Sequence, residues 1–187
     1  MSDDPIPRLL VDALTVLTEA GADAALIGGC ARNSYAEVRP TKDVDFVVGV
    51  DASGYPRLVA AARAHGFTRG TAVGAVPGQV PDLELFRDAS GRRIDFLYAH
   101  TDFERSALSR AETREPYGTP VRVASPEDLI VYKLLAGRPQ DRLDILAMLS
   151  ALAIDPPRAI DWPYVERWCR EWDALAALER LHQDLAG

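Results

Sequence analysis

The sequence predicts an α+β fold: a mixed α/β core with a helical part packed onto it. Two observations carry this expectation. Up to residue 124, short apolar or β-branched runs alternate with stretches of helical periodicity. From Ser125 onward the periodic stretches are all helical, and the first three open on a capping or proline signal. The expected division is residues 1–124 for the α/β core and 125–187 for the helical part. At 187 residues the chain is long enough to bury a substantial core.

Taken in order, Pro7 to Gly21 carries Leu9, Leu10, Leu14 and Leu17 at helical spacing and closes on a glycine suited to a C-cap. Ala24 to Ile27 is an apolar run stopped by Gly28-Gly29 and reads as a buried strand. Cys30 to Val38 is expected as a short helix, broken at Pro40. Val44 to Val50, rich in β-branched residues, is a second strand. Tyr55 to His65 is a helix closed by Gly66, and Phe67 to Gln79 a strand leading into a loop. Leu83 to Arg87 and Arg93 to Tyr98 read as antiparallel strands joined by the turn residues "DASG". Val121 to Ala124 is the last short strand. "SPEDLIVYKLLAG" then places Ser125 at N-cap, Pro126 at N1 and acids in the first turn. "RPQDRLDILAMLSAL" begins another helix near Pro139, Asp161 caps a third, and the tail from Asp173 forms a fourth.

Composition narrows the function. Apolar residues make up 48% and charged residues 26% of the chain, as in an ordinary globular protein. The net charge of −7 has the wrong sign for gripping nucleic acid over a whole surface, although Arg92, Arg93, Arg105, Arg110 and Arg114 make a basic-leaning middle segment. Cys30 and Cys169 lie far apart, without ligand spacing, and read as reduced thiols. The start "MSDDPIPRLL" lacks the basic and apolar regions of a signal peptide, and no apolar run is long enough to span a bilayer. A cytoplasmic location is expected. Nineteen of the 21 basic residues are arginine, a usage associated with GC-rich bacterial genomes, which leaves Lys42 and Lys133 as the two lysines.

The chemistry concentrates in "LIGGCARNSYAEVRPTKDVDFVV". A strand that ends in Gly28-Gly29 and runs into a helix lets an anion approach open backbone N–H groups; a plain tight turn is the alternative. Asp43 and Asp45, at i and i+2 on a strand, share one face. Two close carboxylates repel, and a divalent cation such as Mg²⁺ resolves the conflict. The alternative is a solvated strand edge, but the following "VDFVVGV" is too apolar for one.

Gly-Gly, thirteen intervening residues, and Asp-x-Asp before an apolar run resemble the signature of the nucleotidyltransferase superfamily, whose prototype is DNA polymerase β. "GGCARNSYAEVRPTKDVDFVV" and "SPEDLIVYKLLAGRPQDRLDI" are similar to the minimal bacterial and abortive-infection toxin-like members, over roughly Leu26 to Ile145. The resemblance implies a nucleotidyltransferase-like mixed sheet flanked by helices. It implies transfer of an NMP from an NTP to an acceptor hydroxyl on tRNA, protein or a small molecule. Gly28 and Gly29 would hold the triphosphate, and Asp43 and Asp45 would bind Mg²⁺ or Mn²⁺. Asp95 would act as general base or third metal ligand, with Glu84 as its rival. Arg39, Thr41 and Lys133 would reach phosphate. A toxin role with an antitoxin partner goes with the same resemblance. The chain is short for a separate acceptor-binding domain, so a homodimer is expected to complete the acceptor site. The alternative is an inactive nucleotide- or partner-binding module of that fold.

Other candidates have plainer readings. Asp141 suits a helix N-terminus, and Asp144 is placed to pair with Arg138 or Lys133. His65, His100 and His182 form no constellation. Trp162, Trp168 and Trp172, with Tyr164 and Val165, are expected to pack the C-terminal helices.

Overall fold

A computed structural model describes residues 5–154 and 157–186; Asp3 and Asp4, in the acidic start of the chain, lie outside them. The elements are α1 (Ile6–Ala20), β1 (Asp23–Ile27), α2 (Gly28–Arg32), β2 (Asp43–Gly49), α3 (Tyr55–Ala64), β3 (Thr68–Val73), β4 (Leu83–Arg87) and β5 (Arg93–Tyr98). They continue with α4 (Asp102–Arg110), β6 (Glu112–Arg114), a 3₁₀ turn (Pro116–Gly118), β7 (Val121–Val123), α5 (Pro126–Ala136), α6 (Pro139–Leu152), α7 (Trp162–Glu171) and α8 (Leu175–Ala186). The seven strands form one mixed sheet in the order β3-β4-β5-β2-β1-β7-β6. Strands β2 and β5 are parallel at its centre, and β1 runs antiparallel to β2.

Strand parity divides the sheet into two unlike faces. Val44, Phe46 and Val48 of β2, Phe86 of β4, and Ile94, Phe96 and Tyr98 of β5 are buried together on one face, where α1 packs on β2 and on α3. The alternate residues Asp43, Asp45, Leu83, Arg93, Asp95 and Leu97 are only half-buried on the other. Helix α5 packs against α2, α6 and α7, so the C-terminal helices lie beside the open face. Trp168 and Val165 of α7 are buried in the common core, Trp162 meets His182 edge-on with ring centroids 4.8 Å apart, and Trp172 is exposed.

One expected element differs, and two unexpected ones are present. The helix expected over Cys30 to Val38 starts at Gly28 and stops at Arg32. Asn33 ends it: its amide donates to the Arg39 carbonyl at 2.8 Å and accepts from the Arg39 N–H at 3.2 Å, which folds residues 33–39 into a loop. Helix α4 and strand β6, in a stretch the sequence reading leaves unassigned, are present. A capping box starts α4, with Glu104 accepting from the Thr101 N–H at 2.8 Å and Thr101 Oγ1 accepting from the Glu104 N–H at 3.3 Å. No described helix is long and apolar enough to cross a membrane.

Candidate active site

A cavity of about 500 Å³ opens between the half-buried face of the sheet and α5. Its sheet wall comes from strand register. Asp45 of β2 lies opposite Ile27 of β1 and opposite Asp95 of β5, while Asp43 lies opposite Arg93. Paired residues share a face, so three carboxylates and one guanidinium project into the same space. At the end of β1 the chain turns at Gly28, whose φ of +68° suits a residue without a Cβ. A Cβ there would collide with Asp45 Oδ2, and one on Gly29 would stand 2.7 Å from Thr41 Oγ1. The two glycines therefore let the turn lie directly against the carboxylates.

The trio is short of positive charge. Arg93 Nη2 donates to Asp43 Oδ2 at 2.5 Å, and its Nε stands 2.8 Å from Asp95 Oδ1. That second approach lacks hydrogen-bond alignment, and both atoms are buried without another partner. Burial, then the charges of Asp95 and Asp43, push the Asp45 pKa up to about 7. Burial raises Asp95 to about 6, with Arg93 opposing and Asp43 adding to the rise. Among the described residues no set of three or more His, Cys, Asp or Glu side chains, as they stand, groups to hold a metal ion. The donors nonetheless fit a hard divalent cation, which takes one or two protein carboxylates and leaves its other positions to phosphate and water. Asp45 and Asp95 supply adjacent carboxylates, and the orphaned Asp95 Oδ1 lacks a partner.

The helical wall follows from α5, where Leu129, Tyr132, Lys133 and Ala136 fall on one stripe that lines the cavity. Lys133 is buried, and its Nζ donates to Asp144 Oδ2 at 2.6 Å and to Asp141 Oδ1 at 3.2 Å. Asp144 also accepts a two-pronged pair from Arg39, at 2.7 Å on each oxygen, and a bond from Gln140 at 3.1 Å. Asp144 pairs with Lys133, one of its two expected partners; the other, Arg138, pairs with Asp141 at 2.7 Å, and Arg39 takes its place on Asp144. Burial raises the Asp144 pKa, but the bonds from Arg39, Lys133 and Gln140 outweigh it and hold the group well below the usual carboxylate range. Lys133, Arg39 and Thr41 thus line the cavity, with both cations already held by acids, and Thr41 Oγ1 donates to the Asp43 carbonyl at 3.4 Å.

Some expected residues are elsewhere. Glu84 lies opposite Phe96 and points to the other face, fully buried, where the hydroxyls of Tyr55 and Tyr98 donate to it at 3.0 and 3.1 Å and Arg69 pairs with it. The arginine-rich middle segment does not form one basic face. Arg92 pairs with Asp88, Arg105 with Asp102, Arg114 with Glu112, and Arg110 stacks on Tyr164 and meets Glu127. Two residues that line the cavity are not among the expected site residues, Arg93 being expected only as part of the basic middle segment. Arg93 is signalled by its position two residues before Asp95 on a strand; for Tyr132 the signal is its spacing of three from Leu129 and four from Ala136 on α5.

A family model described as "Nucleotidyl transferase of unknown function (DUF2204)" matches residues 7–166. No curated protein matches the chain. Solved structures share the fold. The solution structure of the antibiotic-resistance factor ANT(2'')-Ia is 15% identical with a TM-score of 0.63, covering 98% of this chain and 100% of that one. An antigenic nucleotidyltransferase-like protein from Paracoccidioides brasiliensis is 20% identical with a TM-score of 0.57, covering 99% and 91%. The lincosamide adenylyltransferase LnuA, lincomycin-bound, is 12% identical with a TM-score of 0.55, covering 81% and 98%.

Proposed function

The chain belongs to this family of nucleotidyltransferases, and on that premise we infer that the cavity transfers an NMP from an NTP to a hydroxyl of a small acceptor molecule. The observation that carries the reading is the register that sets Asp45 beside Asp95 and against Gly28. It collects carboxylates at one point and leaves room beside them for phosphate.

Asp43, Asp45 and Asp95 would hold Mg²⁺ or Mn²⁺, which when bound supplies charge neutralisation at the α-phosphate and the attacking oxygen. Gly28 and Gly29 let the triphosphate lie close to the backbone. Thr41 and Arg39 line the phosphate side, and Lys133, held by Asp141 and Asp144, adds a fixed positive charge there. The acceptor oxygen attacks the α-phosphorus while the bond to pyrophosphate breaks, and its proton passes to an oxygen of Asp95 that the ion does not engage.

Two features favour a small acceptor over RNA: the net charge of −7, and the pairing of the middle arginines with acids. The fold accommodates such molecules, since ANT(2'')-Ia has been seen with adenylyl-2''-tobramycin and LnuA with lincomycin. A toxin role with an antitoxin partner rests on the motif strings alone.

The test is transfer of label from each α-labelled NTP, with Mg²⁺, to a panel of hydroxylated small molecules, total tRNA and protein extract. Wild type is expected to label a small molecule, and Asp43→Asn with Asp45→Asn to lose about a thousandfold in rate. Label on tRNA or protein instead would overturn the acceptor class. Nucleotide binding without transfer to any acceptor would favour the inactive binding module.

A further inference from the structure

Arg93 occupies an unexpected place. It stands two residues before Asp95 on β5, so the two share a face, and the parallel register sets it beside Asp43. One guanidinium thereby spans two carboxylates, at 2.5 Å from Asp43 Oδ2 and 2.8 Å from Asp95 Oδ1. The same carboxylates are the ones a divalent cation would use, and its charge would stand against that of the guanidinium. The contact to Asp95 is also imperfect: Arg93 Nε and Asp95 Oδ1 are both buried and neither completes a hydrogen bond. Arginine cannot leave such a place by losing its proton, so it leaves only by turning away. A planar fork that fits a carboxylate fits a phosphate equally well.

Resting on the nucleotidyltransferase reading of the cavity, we propose that Arg93 is its resident counter-cation. With no substrate bound its single charge offsets part of that on Asp43 and Asp95 and opposes a divalent ion at the same carboxylates. When the ion arrives together with a nucleotide, Arg93 exchanges its carboxylates for phosphate oxygen. No bond is made or broken in the exchange; one ion pair replaces another. The free protein therefore binds a bare divalent cation weakly, and the site charges only when nucleotide is present.

The experiment is a Mn²⁺ titration of the full chain without nucleotide, followed by paramagnetic resonance of the free ion, for wild type, Arg93→Met and Arg93→Gln. A neighbouring charge changes a carboxylate's affinity for a proton by about one to three powers of ten, and a metal ion on the same oxygens feels the same field. Both variants are expected to bind Mn²⁺ about tenfold more tightly than wild type or better. In a second arm, with chelator present, both are expected to bind ATP more weakly. Circular dichroism melting checks that each variant is folded, and two replacements of different polarity guard against one failing to fold. Unchanged or weaker Mn²⁺ binding in folded variants would overturn the proposal while leaving the transferase reading intact. Mn²⁺ binding that survives Asp43→Asn with Asp45→Asn would place the ion elsewhere and overturn both.

Discussion

Two clusters of aspartates face the same cavity, and they are built in opposite ways. Asp43, Asp45 and Asp95 sit on adjacent strands with one arginine among them, and burial with mutual repulsion raises Asp45 and Asp95. Asp141 and Asp144 sit one helical turn apart on α6, buried, with Lys133, Arg39 and Arg138 bonded to them, and both are lowered. Burial acts the same way on each. The number of cations within reach decides the sign. A cluster that satisfies itself is scaffold; one left short of positive charge is where a ligand that brings such charge gains most.

The sharpest way to break the comparison is to remove the satisfied centre. Asp144→Ala leaves Lys133, Arg39 and Arg32 facing one another, with Lys133 buried and unneutralised by its nearest partner. The expected loss is about 3–5 kcal/mol, the range for a buried pair broken on one side, read from urea or thermal unfolding. Asp144→Asn, which keeps the acceptor oxygen but not the charge, is expected to lose less. A loss below about 1 kcal/mol would mean the network is solvated and the contrast false.

The unsatisfied cluster should respond with the other sign. Asp45→Asn relieves repulsion in the free protein and is expected to stabilise it by about 1–2 kcal/mol at pH 8, while slowing transfer by no more than the double variant does. The pH dependence follows. A carboxyl with a folded pKa of about 7 against an ordinary 3.8 binds more protons folded than unfolded between those values. Wild-type stability is therefore eroded by Asp45 as pH rises from about 4 to 7, and the erosion is complete above that. The gain from Asp45→Asn should grow across the same window. Asp144, lowered, acts oppositely: its contribution is full above the ordinary 3.8 and is lost as pH falls below it. A melting series from about pH 2 to 8 on both variants separates the two windows; parallel curves would refute the distinction.

How much of this was legible in the sequence depends on the range of the interaction. Helices closed by Gly21 and Gly137 are readable because both glycines take left-handed backbone, a local demand. Asp43 and Asp45 share a face by strand parity alone. The choice between Glu84 and Asp95 was not local: both lie among apolar strand residues, and the register that pairs Glu84 with Phe96 turns it to the opposite face. The loop after Arg32 depends on one side chain, Asn33, clamping a backbone six residues on. The bond from Arg39 to Asp144 spans 105 residues and exists only because α5 packs against both α2 and α6. Helix α4, left unassigned from the sequence, did carry a local signal, since Thr101 and Glu104 have the spacing of a capping box.

The smallest expected effect tests where the scaffold ends and the site begins. Arg138 bonds Asp141 through Nε at 2.7 Å and through its backbone N–H at 3.1 Å, but its side chain is 72% exposed. An exposed partner is screened, and Asp141 keeps both Lys133 and the backbone N–H when the side chain is cut. Arg138→Ala should therefore cost only about 0.5 kcal/mol in unfolding, an order of magnitude below Asp144→Ala. Its side chain also lines the cavity, so the same variant should weaken nucleotide binding measured by calorimetry. A variant that loses affinity while keeping its stability places Arg138 with the ligand. One that loses stability and keeps affinity returns it to the scaffold, and the boundary between the two clusters would then lie nearer the carboxylates of the sheet.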